Sequence, residues 1–338
     1  MRIGTNPQKD QHQPTMDHFH QVVIPVYIPD AGDYFKESKT ILEYCLDSLL
    51  LTVHKNTFIT LVDNGSRKEV SDYLRSLYEA GKVHELIQTT NIGKINALFK
   101  GMMGHRFPLV TFADADVLFC KGWQEATYKI FETFPKTGFV SPTPNPKLWK
   151  YNTANILRAY RKSPQLQFQS VVASEALERF AESIENPRFY NSVHKEKQLV
   201  VTQNDIQAVV GAGHFVATYR RDAFQGHETP VSRFALGGKE VRHFLDTPVY
   251  QNGYWRLATA NNYTYHMGNT LEPWMHEELT LLKSSNPVAS VPKNPLQKVS
   301  VRKPGNRLRV FEKLLHRAGF SRRFLKRKGL TATEAEMY

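Results

Sequence analysis

The sequence predicts an α/β fold, in which a mostly parallel sheet is flanked by helices and followed by a basic helical extension. Two observations lead to this prediction. Short apolar, β-branched runs alternate four times with helical patterns over about 120 residues, and Gly, Asn and Asp mark the boundaries between them. This rhythm is typical of doubly wound sheets, whose ligands bind beyond the carboxyl ends of the strands.

The first half of the chain alternates strands and helices in a regular order. We predict strands at Val22–Tyr27, Phe58–Val62, Glu85–Gln88 and Leu109–Ala113, with helices at Thr40–Val53, Val70–Ala80 and Asn91–Gly101. The strands are continuous apolar runs, because helices cover both faces of a parallel sheet. The helices instead place apolar residues three and four positions apart.

The second half is less regular and opens with a Pro-rich stretch. We predict a helix at Val171–Ile184 and sheet segments at Ile206–Val210, His214–Thr218 and Trp255–Ala258. The chain therefore divides into a polar segment at 1–20, a globular domain at 21–283 with halves at about 21–120 and 121–283, a Pro- and Ser-rich linker at 284–298, and a basic amphipathic tail at 299–338.

The net charge of +12 is concentrated in the tail. From Lys298 to Lys328, twelve Lys or Arg residues oppose one acidic residue, Glu312, whereas the rest of the chain is close to neutral. The globular part therefore lacks the basic footprint of a nucleic-acid binder. A basic segment with the apolar stripe Phe311, Leu314, Leu315 and Ala318 can lie on an anionic membrane surface, or it can pack on its own domain.

The cysteine content and the hydropathy bear on location. Cys45 and Cys120 are the only two cysteines and provide neither a disulfide framework nor zinc-site spacing, which favours a reducing compartment. No stretch approaches the roughly 18 consecutive apolar residues of a membrane span, and the first twenty residues lack the apolar core of a secretory signal. We expect a cytoplasmic protein, either soluble or bound to the inner face of the membrane.

Asp114 and Asp116 flank Ala115 directly after the apolar run Leu109–Ala113. Carboxylates at the end of a buried strand cost free energy unless their charge is compensated, and a divalent cation that bridges to a diphosphate would compensate it. Such a pair can also cap the next helix or face solvent. The residues by themselves leave both interpretations open.

The order of several motifs resembles the large family 2 of inverting GT-A glycosyltransferases, over about Val22 to Asn269. The matching segments are VVIPVY, LVDNGS, NIGKINALFKG, the Asp114/Asp116 pair and GAGHFVATYRRDAF. Each motif is weak alone, but five in the family's order are hard to obtain by chance. The resemblance implies a GT-A fold and the transfer of a sugar from a nucleotide diphosphate, with UDP favoured, to a glycan or lipid-linked saccharide, with inversion and with Mn²⁺ or Mg²⁺.

The resemblance also implies roles for particular residues. It places the donor against Pro25, Val26, Tyr27, Asp63, Asn91, Lys94, Asn96, Asp114, Ala115 and Asp116, and the acceptor against Gly211, Ala212, Gly213 and His214. It offers Asp246 as the catalytic base, with Glu240 as a substitute, and His266 as a third metal ligand. The helix after Asp246 is about one turn shorter than the family pattern, and one acidic residue stands where two adjacent ones are usual.

The chemistry of these residues is compatible with those roles and also with purely structural ones. Asp63 can accept an N–H group of a nucleotide base, or it can close an Asx-turn at a strand end. Asn91, Lys94 and Asn96 lie where a loop enters a helix, which suits a phosphate, although helix capping also explains Asn91. Asp246 can be a helix cap before Pro248, and a lone histidine such as His266 is often a core residue.

Three other classes of protein share part of this sequence pattern. A dehydrogenase would need a glycine-rich turn directly after the first strand, but Tyr27 is followed by IPDAGDYF. A sugar-phosphate nucleotidyltransferase would normally carry an N-terminal glycine-rich loop with an arginine, which is absent here. A non-catalytic protein that binds nucleotides or polyanions remains the alternative from a different class.

Overall fold

The structure is a computed structural model, and it describes residues 3–11, 17–30, 32–227, 231–285 and 296–338. In those ranges the strands are β1 (His20–Val26), β2 (Thr57–Asp63), β3 (Glu85–Gln88), β4 (Leu109–Ala113), β5 (Val117–Phe119), β6 (Thr137–Ser141), β7 (Leu166–Ser170), β8 (Lys197–Gln203), β9 (Ile206–Val209), β10 (Val216–Arg220), β11 (Trp255–Thr259) and β12 (Thr264–His266). Parts of the predicted segment 1–20 and of the predicted linker 284–298, namely residues 1–2, 12–16 and 286–295, lie outside the described residues.

The helices of the same ranges surround these strands. They are α1 (Ser38–Thr52), α2 (Lys68–Glu79), α3 (Lys94–Met102), α4 (Trp123–Thr133), α5 (Ala154–Ala159), α6 (Ser174–Ser183), α7 (Ser192–Glu196), α8 (Gly238–Val241), α9 (Thr247–Gln251), α10 (Pro273–Ser285), α11 (Asn306–Leu315), α12 (Ala318–Arg327) and α13 (Ala332–Met337). A π-helical segment, Arg242–Asp246, joins α8 to α9. None of the helices in the described ranges has the length and hydropathy needed to cross a membrane.

The central sheet has ten strands in the order β3-β2-β1-β4-β10-β6-β11-β9-β8-β7. Strands β1 to β4 are parallel, and β10 runs antiparallel between β4 and β6. Because β10 is antiparallel to both β4 and β6, strand β6 points in the same direction as β4. Strand β11 is parallel to β6 and shares this direction. The predicted α/β fold with a largely parallel sheet is confirmed, and the antiparallel strands lie mainly in the second half.

The register of the strands brings several polar loops to one edge of the sheet. Val26 pairs with Asp63 at the ends of β1 and β2. The first residue after β4, Asp114, donates its backbone N–H to the carbonyl oxygen of Phe215 at 2.8 Å. The carboxyl ends of β1, β2 and β4 therefore lie together, as the fold class requires of a ligand site.

A second, two-stranded sheet is formed by β5 and β12. In its antiparallel register, His266 lies opposite Val117. The backbone N–H of Met267 also donates to the carbonyl oxygen of Asp116 at 2.8 Å. This short ladder brings His266 beside Asp116, although 150 residues separate them in the chain.

The basic tail packs against the second half of the domain. Its apolar side chains join the core around β6, β8 and β11 through Leu308, Phe311, Leu315, Phe324, Leu325 and Leu330. Lys328 is buried, and its ammonium group donates to the carbonyl oxygens of Tyr160 and Ser163 at 3.0 and 2.9 Å. Two residues of the predicted stripe, Phe311 and Leu315, are thus covered by the domain.

Most of the predicted elements are present with boundaries shifted by a few residues. The strands at Glu85–Gln88 and Leu109–Ala113 have the predicted ends, and the helix predicted at Asn91–Gly101 begins three residues later, at Lys94. Helix α4 and strands β6, β7 and β8 were not predicted. They lie in the part of the chain where the strand and helix patterns no longer alternate.

Candidate active site

A cavity of about 620 Å³ opens beyond the carboxyl ends of β1, β2 and β4. Of the predicted site residues, those on its wall are Pro25, Tyr27, Asn91, Lys94, Asp114, Ala115, Asp116 and His266. The structure therefore brings residues from four separate sequence motifs to one surface. A volume of this size is within the usual range of small-molecule sites.

Asp114, Asp116 and His266 form the polar centre of this cavity. Each offers one ligand atom, and the three atoms lie within 4.8 Å of one another. Nε2 of His266 is 3.4 Å from Oδ2 of Asp116. Oδ1 of Asp116 is buried and has no hydrogen-bond partner among the described residues, as expected of an atom that is available to bind a metal ion. Two carboxylates and one imidazole form a suitable set of ligands for a divalent transition metal.

The surroundings of the triad fix its geometry. Nδ1 of His266 is 2.9 Å from Oγ of Ser183, the last residue of α6. The ring packs edge-on against Phe180 and Phe215. Burial raises the pKa of Asp116 above its usual value, and the nearby His266 opposes that rise. A second polar partner on the imidazole is the arrangement that orients a histidine ligand in metal sites.

Lys94 contributes a cation to the same wall. Its ammonium group forms an ion pair with Oδ1 of Asp114. Lys94 is the first residue of α3, whose N-terminal amides carry partial positive charge. The cavity therefore combines the carboxylates of Asp114, Asp116 and Glu185 with the ammonium group of Lys94, which suits an anionic ligand held through a metal.

The loops after β1 and β2 form the other side of the cavity. Pro25 and Tyr27 line it, whereas Val26 is fully buried in the core because alternate residues of a strand point to opposite faces. Asn64 also lines it, and its Nδ2 donates to Oδ1 of Asn91 at 3.2 Å. Asn64 was not predicted as a site residue, although it lies within the quoted motif LVDNGS.

Asp63 is buried and does not line the cavity. Its carboxylate accepts hydrogen bonds from the Ser66 backbone N–H at 2.9 Å and from the Ser71 hydroxyl at 2.5 Å, with a longer contact from Gln88 at 3.5 Å. This is the turn-closing role that the sequence also permitted. A contact between Asp63 and a nucleotide base remains a prediction.

Asn96 holds residues 231–237 against the start of α3. Its Nδ2 donates to the carbonyl oxygen of Ser232 at 2.9 Å, and its Oδ1 accepts the Ser232 backbone N–H at 2.8 Å. The backbone N–H of Lys94 donates to the carbonyl oxygen of Ala235, which lines the cavity. Asn96 thus contributes to the cavity through this loop, and its direct contact with a donor remains a prediction.

The predicted acceptor residues Gly211, Ala212, Gly213 and His214 form the connection between β9 and β10. A Cβ atom at Gly211 would lie 2.4 Å from the carbonyl oxygen of Asn145, so only glycine fits there. His214 is 36% exposed in its side chain. These residues lie beside the cluster of Asp114, Asp116 and His266, because the backbone of Phe215 is bonded to Asp114, but they are not among those that line the cavity.

Asp246 lies in a buried charge cluster next to this connection. Its Oδ1 accepts a hydrogen bond from Nη2 of Arg256 at 3.0 Å, and its Oδ2 is 3.4 Å from Nδ1 of His214. Burial alone would raise the pKa of Asp246, but the Arg256 guanidinium and the contacts with His214 and Tyr151 hold it below its usual value. Asp246 is therefore an anion that is entirely shielded from solvent.

Glu240, the substitute base, lies in the first turn of α8. Its side chain is half-buried, and Oε2 has no hydrogen-bond partner among the residues with described positions. Whether Asp246 or Glu240 acts as the base remains a prediction. Ser183, Tyr34 and Asn269 contribute to the site without having been predicted, because nothing in their local sequence distinguishes them.

The model of the family named Glycosyl transferase family 2 matches residues 22–177. Among curated proteins, none matches the sequence significantly.

The solved structures that match the chain include S. aureus TarS 1-349, at 13% identity and a TM-score of 0.43, over 79% of this chain and 64% of that one. TarS 1-349 in complex with UDP-GlcNAc gives 13% identity and a TM-score of 0.44, over 78% and 65% of the two chains. Mannosyltransferase PcManGT from Pyrobaculum calidifontis, in complex with GDP-Man and Mn²⁺, gives 15% and 0.45, over 94% and 73%.

The matched region thus spans slightly less than two thirds of the TarS 1-349 chain. The family match over residues 22–177 contains β1 to β4, Lys94 and the Asp114/Asp116 pair, so it covers the elements that build most of the cavity. The match covers slightly less than half of this chain, and over residues 22–177 the chain is similar to glycosyl transferase family 2.

Proposed function

We propose that this chain is an inverting glycosyltransferase, which moves a sugar from a nucleotide diphosphate, preferably a UDP-sugar, to a hydroxyl group of a glycan or lipid-linked saccharide. One observation carries the proposal. Asp114, Asp116 and His266 converge on the wall of a cavity of about 620 Å³, with one carboxylate oxygen buried and unpartnered. Such a centre suits a diphosphate bound through a divalent cation.

The donor would be held mainly through its diphosphate. Asp114, Asp116 and His266 would bind Mn²⁺ or Mg²⁺, and the imidazole favours Mn²⁺. When bound, the ion neutralises charge on the departing diphosphate. Lys94 adds a second positive charge, and it sits at a helix N-terminus, which attracts phosphate groups.

The preference for UDP depends on Asp63. Its carboxylate has about four lone-pair sites, of which its present donors Ser66, Ser71 and Gln88 occupy three, so one is left for the imide N–H of uracil. Gln88 is the most weakly held of these donors, with a distance of 3.5 Å. Asn64 and Asn91 lie on the cavity wall beside it and offer amide groups to the base or the ribose.

Transfer needs a base on the acceptor side of the donor. The base takes the proton from the acceptor hydroxyl while the oxygen attacks the anomeric carbon, and attack in line with the leaving group inverts the configuration. Asp246 and His214 lie on that side, next to the strand that pairs with Asp114. We assign the proton-accepting function to this pair.

The tail supports a location at an anionic membrane surface. Arg322, Arg323, Lys326 and Arg327 are exposed on one face of α12, while Phe324 and Leu325 pack inward. Because its apolar face is already covered by the domain, we expect electrostatic adsorption rather than insertion. This location would suit a lipid-linked acceptor.

Ligand binding to the purified full-length chain tests the proposal. Thermal-shift and calorimetric titrations with UDP-, GDP-, CDP- and dTDP-sugars are run with and without Mn²⁺, for the wild type, Asp116→Asn and the exposed control Asp72→Asn. We expect binding that needs Mn²⁺, is lost in Asp116→Asn and is kept in Asp72→Asn. Metal-independent binding of polyanions alone would instead favour the non-catalytic alternative, and synthesis of a sugar nucleotide from a sugar phosphate would favour a nucleotidyltransferase.

A further inference from the structure

Asp246 and His214 differ sharply in their access to a substrate. Asp246 is fully buried, with 0% of its side chain exposed, whereas the His214 side chain is 36% exposed. A general base must come within hydrogen-bond reach of the proton that it removes. The exposed member of the pair is therefore the one able to meet an acceptor hydroxyl.

The contacts of Asp246 leave its carboxylate enclosed by protein groups. Oδ1 is bound by Arg256, which is itself buried and also donates to the carbonyl oxygen of Tyr151 at 2.8 Å. Oδ2 lies 3.4 Å from Nδ1 of His214 without forming a hydrogen bond to it, and the Tyr151 side chain also contacts the carboxylate. The ring of Tyr151 is itself covered by the guanidinium groups of Arg242 and Arg256.

The strand pairing places His214 next to the metal triad. Asp114 is bonded to Phe215, so the backbone of His214 continues past Ala115, which lines the cavity. The Phe215 ring packs against His266. The His214 ring instead lies beside Asp246, with Nδ1 3.4 Å from Oδ2.

We propose that Nε2 of His214 accepts the proton of the acceptor hydroxyl, and that Asp246 is a positioning residue that orients the imidazole. This inference rests on the proposed glycosyl transfer. The acceptor O–H bond breaks and its proton passes to Nε2, while the oxygen forms a bond to the anomeric carbon. The bond between that carbon and the diphosphate oxygen breaks, and its electron pair leaves with the diphosphate.

The contacts of Asp246 support these separate functions of His214 and Asp246. An anionic Asp246 beside Nδ1 favours the tautomer that carries its proton on Nδ1, which leaves Nε2 as the acceptor atom. The same carboxylate stabilises the imidazolium ion once the proton has been taken. Arg256 holds the carboxylate from the other side through Oδ1. The charged groups that face the pair are thus Arg256 and, over Tyr151, Arg242.

The tautomer of His214 gives a test that does not depend on turnover. Nitrogen-detected NMR of the full-length chain with isotope-labelled histidine identifies the His214 signals by their loss in His214→Asn, with the exposed His316→Asn as control. We expect a neutral ring protonated on Nδ1 in the wild type and a shift toward the Nε2–H form in Asp246→Asn. An Nε2–H tautomer in the wild type, or a tautomer unaffected by Asp246→Asn, would overturn the proposal.

Kinetics test the role of the ring itself. Release of nucleoside diphosphate is measured with the sugar nucleotide that binds, using water and free sugars as acceptors. We expect His214→Ala to lower the rate by about 100-fold or more while the Kd of the donor with Mn²⁺ stays within about threefold. Added imidazole should restore part of the lost rate in His214→Ala and should not restore Glu240→Gln, since only the first variant leaves an imidazole-sized gap.

The outcomes separate this inference from the proposed function. If the wild type binds and cleaves a sugar nucleotide while His214→Ala keeps its rate within a few-fold, His214 is not the base and only this inference falls. The same conclusion follows if imidazole restores nothing and Glu240→Gln is the variant that loses the rate. If the wild type neither binds nor cleaves any donor with Mn²⁺, the glycosyl transfer itself is refuted.

Discussion

The ammonium group of Lys94 forms an ion pair with the carboxylate of Asp114, so a fixed cation lies against one of the candidate metal ligands. Both side chains are about three-quarters buried, at 22% and 23% exposure. A divalent ion entering this site alone must therefore compete with Lys94 for the carboxylate. A diphosphate that enters with the ion can instead accept the ammonium group, and the competition is relieved.

Replacement of Lys94 by methionine should separate these two effects. We expect Lys94→Met to bind Mn²⁺ alone about threefold to tenfold more tightly, and to bind the nucleoside diphosphate with Mn²⁺ about 10- to 100-fold more weakly, since a charge-assisted contact contributes roughly 1.5–3 kcal/mol. Calorimetry measures both affinities. Lys100→Met, an exposed change on the same helix, should alter neither affinity, and equal weakening of both in Lys94→Met would contradict the competition.

Ser183 should tune the metal site through His266. Its hydroxyl is 2.9 Å from Nδ1 of His266, and groups in that position typically change metal affinity by about 10–100-fold. We expect Ser183→Ala to weaken Mn²⁺ binding by about tenfold without loss of folding. Ser76→Ala is the matched control, because Ser76 makes the same hydroxyl contact to its own helix but lies exposed. An unchanged affinity in Ser183→Ala would mean that the Phe180 and Phe215 rings alone fix the imidazole.

Acid should destabilise the domain through a buried histidine network. His20 is 2.6 Å from the Tyr128 hydroxyl through Nδ1, and His54 is 2.8 Å from the same hydroxyl through Nε2. Burial lowers the pKa of His54 to about 4, and burial together with His54 lowers the pKa of His20 well below 6.5. The unfolded chain therefore binds more protons than the folded chain between pH 6.5 and about 4.

The sign follows from that difference in bound protons. The free energy of unfolding is therefore highest above pH 6.5. It decreases as the pH falls toward about 4, the pKa of His54 in the folded protein, by about 1.4 kcal/mol per pH unit for each such histidine. Chemical denaturation between pH 7 and pH 5 measures it. His54→Gln should flatten the slope, whereas the exposed His316→Gln should not. A slope unchanged in His54→Gln would show that this histidine is protonated in the folded protein.

The site residues that could be predicted from the sequence are those whose position depends on neighbouring residues in the chain. Asp114 and Asp116 follow a buried strand, and Lys94 begins a helix, so position along the chain was enough to predict their place at the sheet edge. His266 lies beside Asp116, and its function as a metal ligand remains a prediction from the family resemblance; the β5–β12 ladder that brings it there was not predicted. That ladder has only three residue pairs, too few to leave a pattern in the sequence.

Other site features depend on contacts between distant segments and could not be read in advance. Ser183 reaches His266 from 83 residues away. The exposure of His214 and the complete burial of Asp246 depend on how β10, β11 and the π-helical segment pack together. Asp63 shows the opposite case, because residues Ser66 and Ser71, close in sequence, already satisfy its carboxylate.

The amphipathic, basic pattern of the tail is compatible with two locations of its helices. An amphipathic, basic helix can cover a domain or lie on a membrane, and the periodicity of its apolar residues is the same in both cases. In the structure, Phe324 of α12 stacks on Trp149 of the domain, with 6.2 Å between ring centroids. The basic face of α12 points outward, so the helix can pack on the domain and contact a membrane surface at the same time.

Charge on α12 should therefore control adsorption to anionic vesicles. We expect the full-length chain to cosediment with vesicles that contain phosphatidylglycerol, but not with pure phosphatidylcholine vesicles, and to be released by added salt. Neutralisation of the four exposed residues of α12 to glutamine should weaken binding by about 100-fold or more, since each such charge contributes roughly 1 kcal/mol. The four substitutions are Arg322→Gln, Arg323→Gln, Lys326→Gln and Arg327→Gln.

A matched variant separates the α12 face from net charge. The control variant also loses four positive charges, but from exposed positions on the first half of the domain. Its substitutions are Lys55→Gln, Lys68→Gln, Lys82→Gln and Lys100→Gln. Because they are remote from the tail in the chain and leave α12 intact, we expect this variant to bind vesicles almost as well as the wild type. Equal loss in the two variants would mean that adsorption follows overall charge, and undiminished binding of the α12 variant would exclude this helix as the membrane contact.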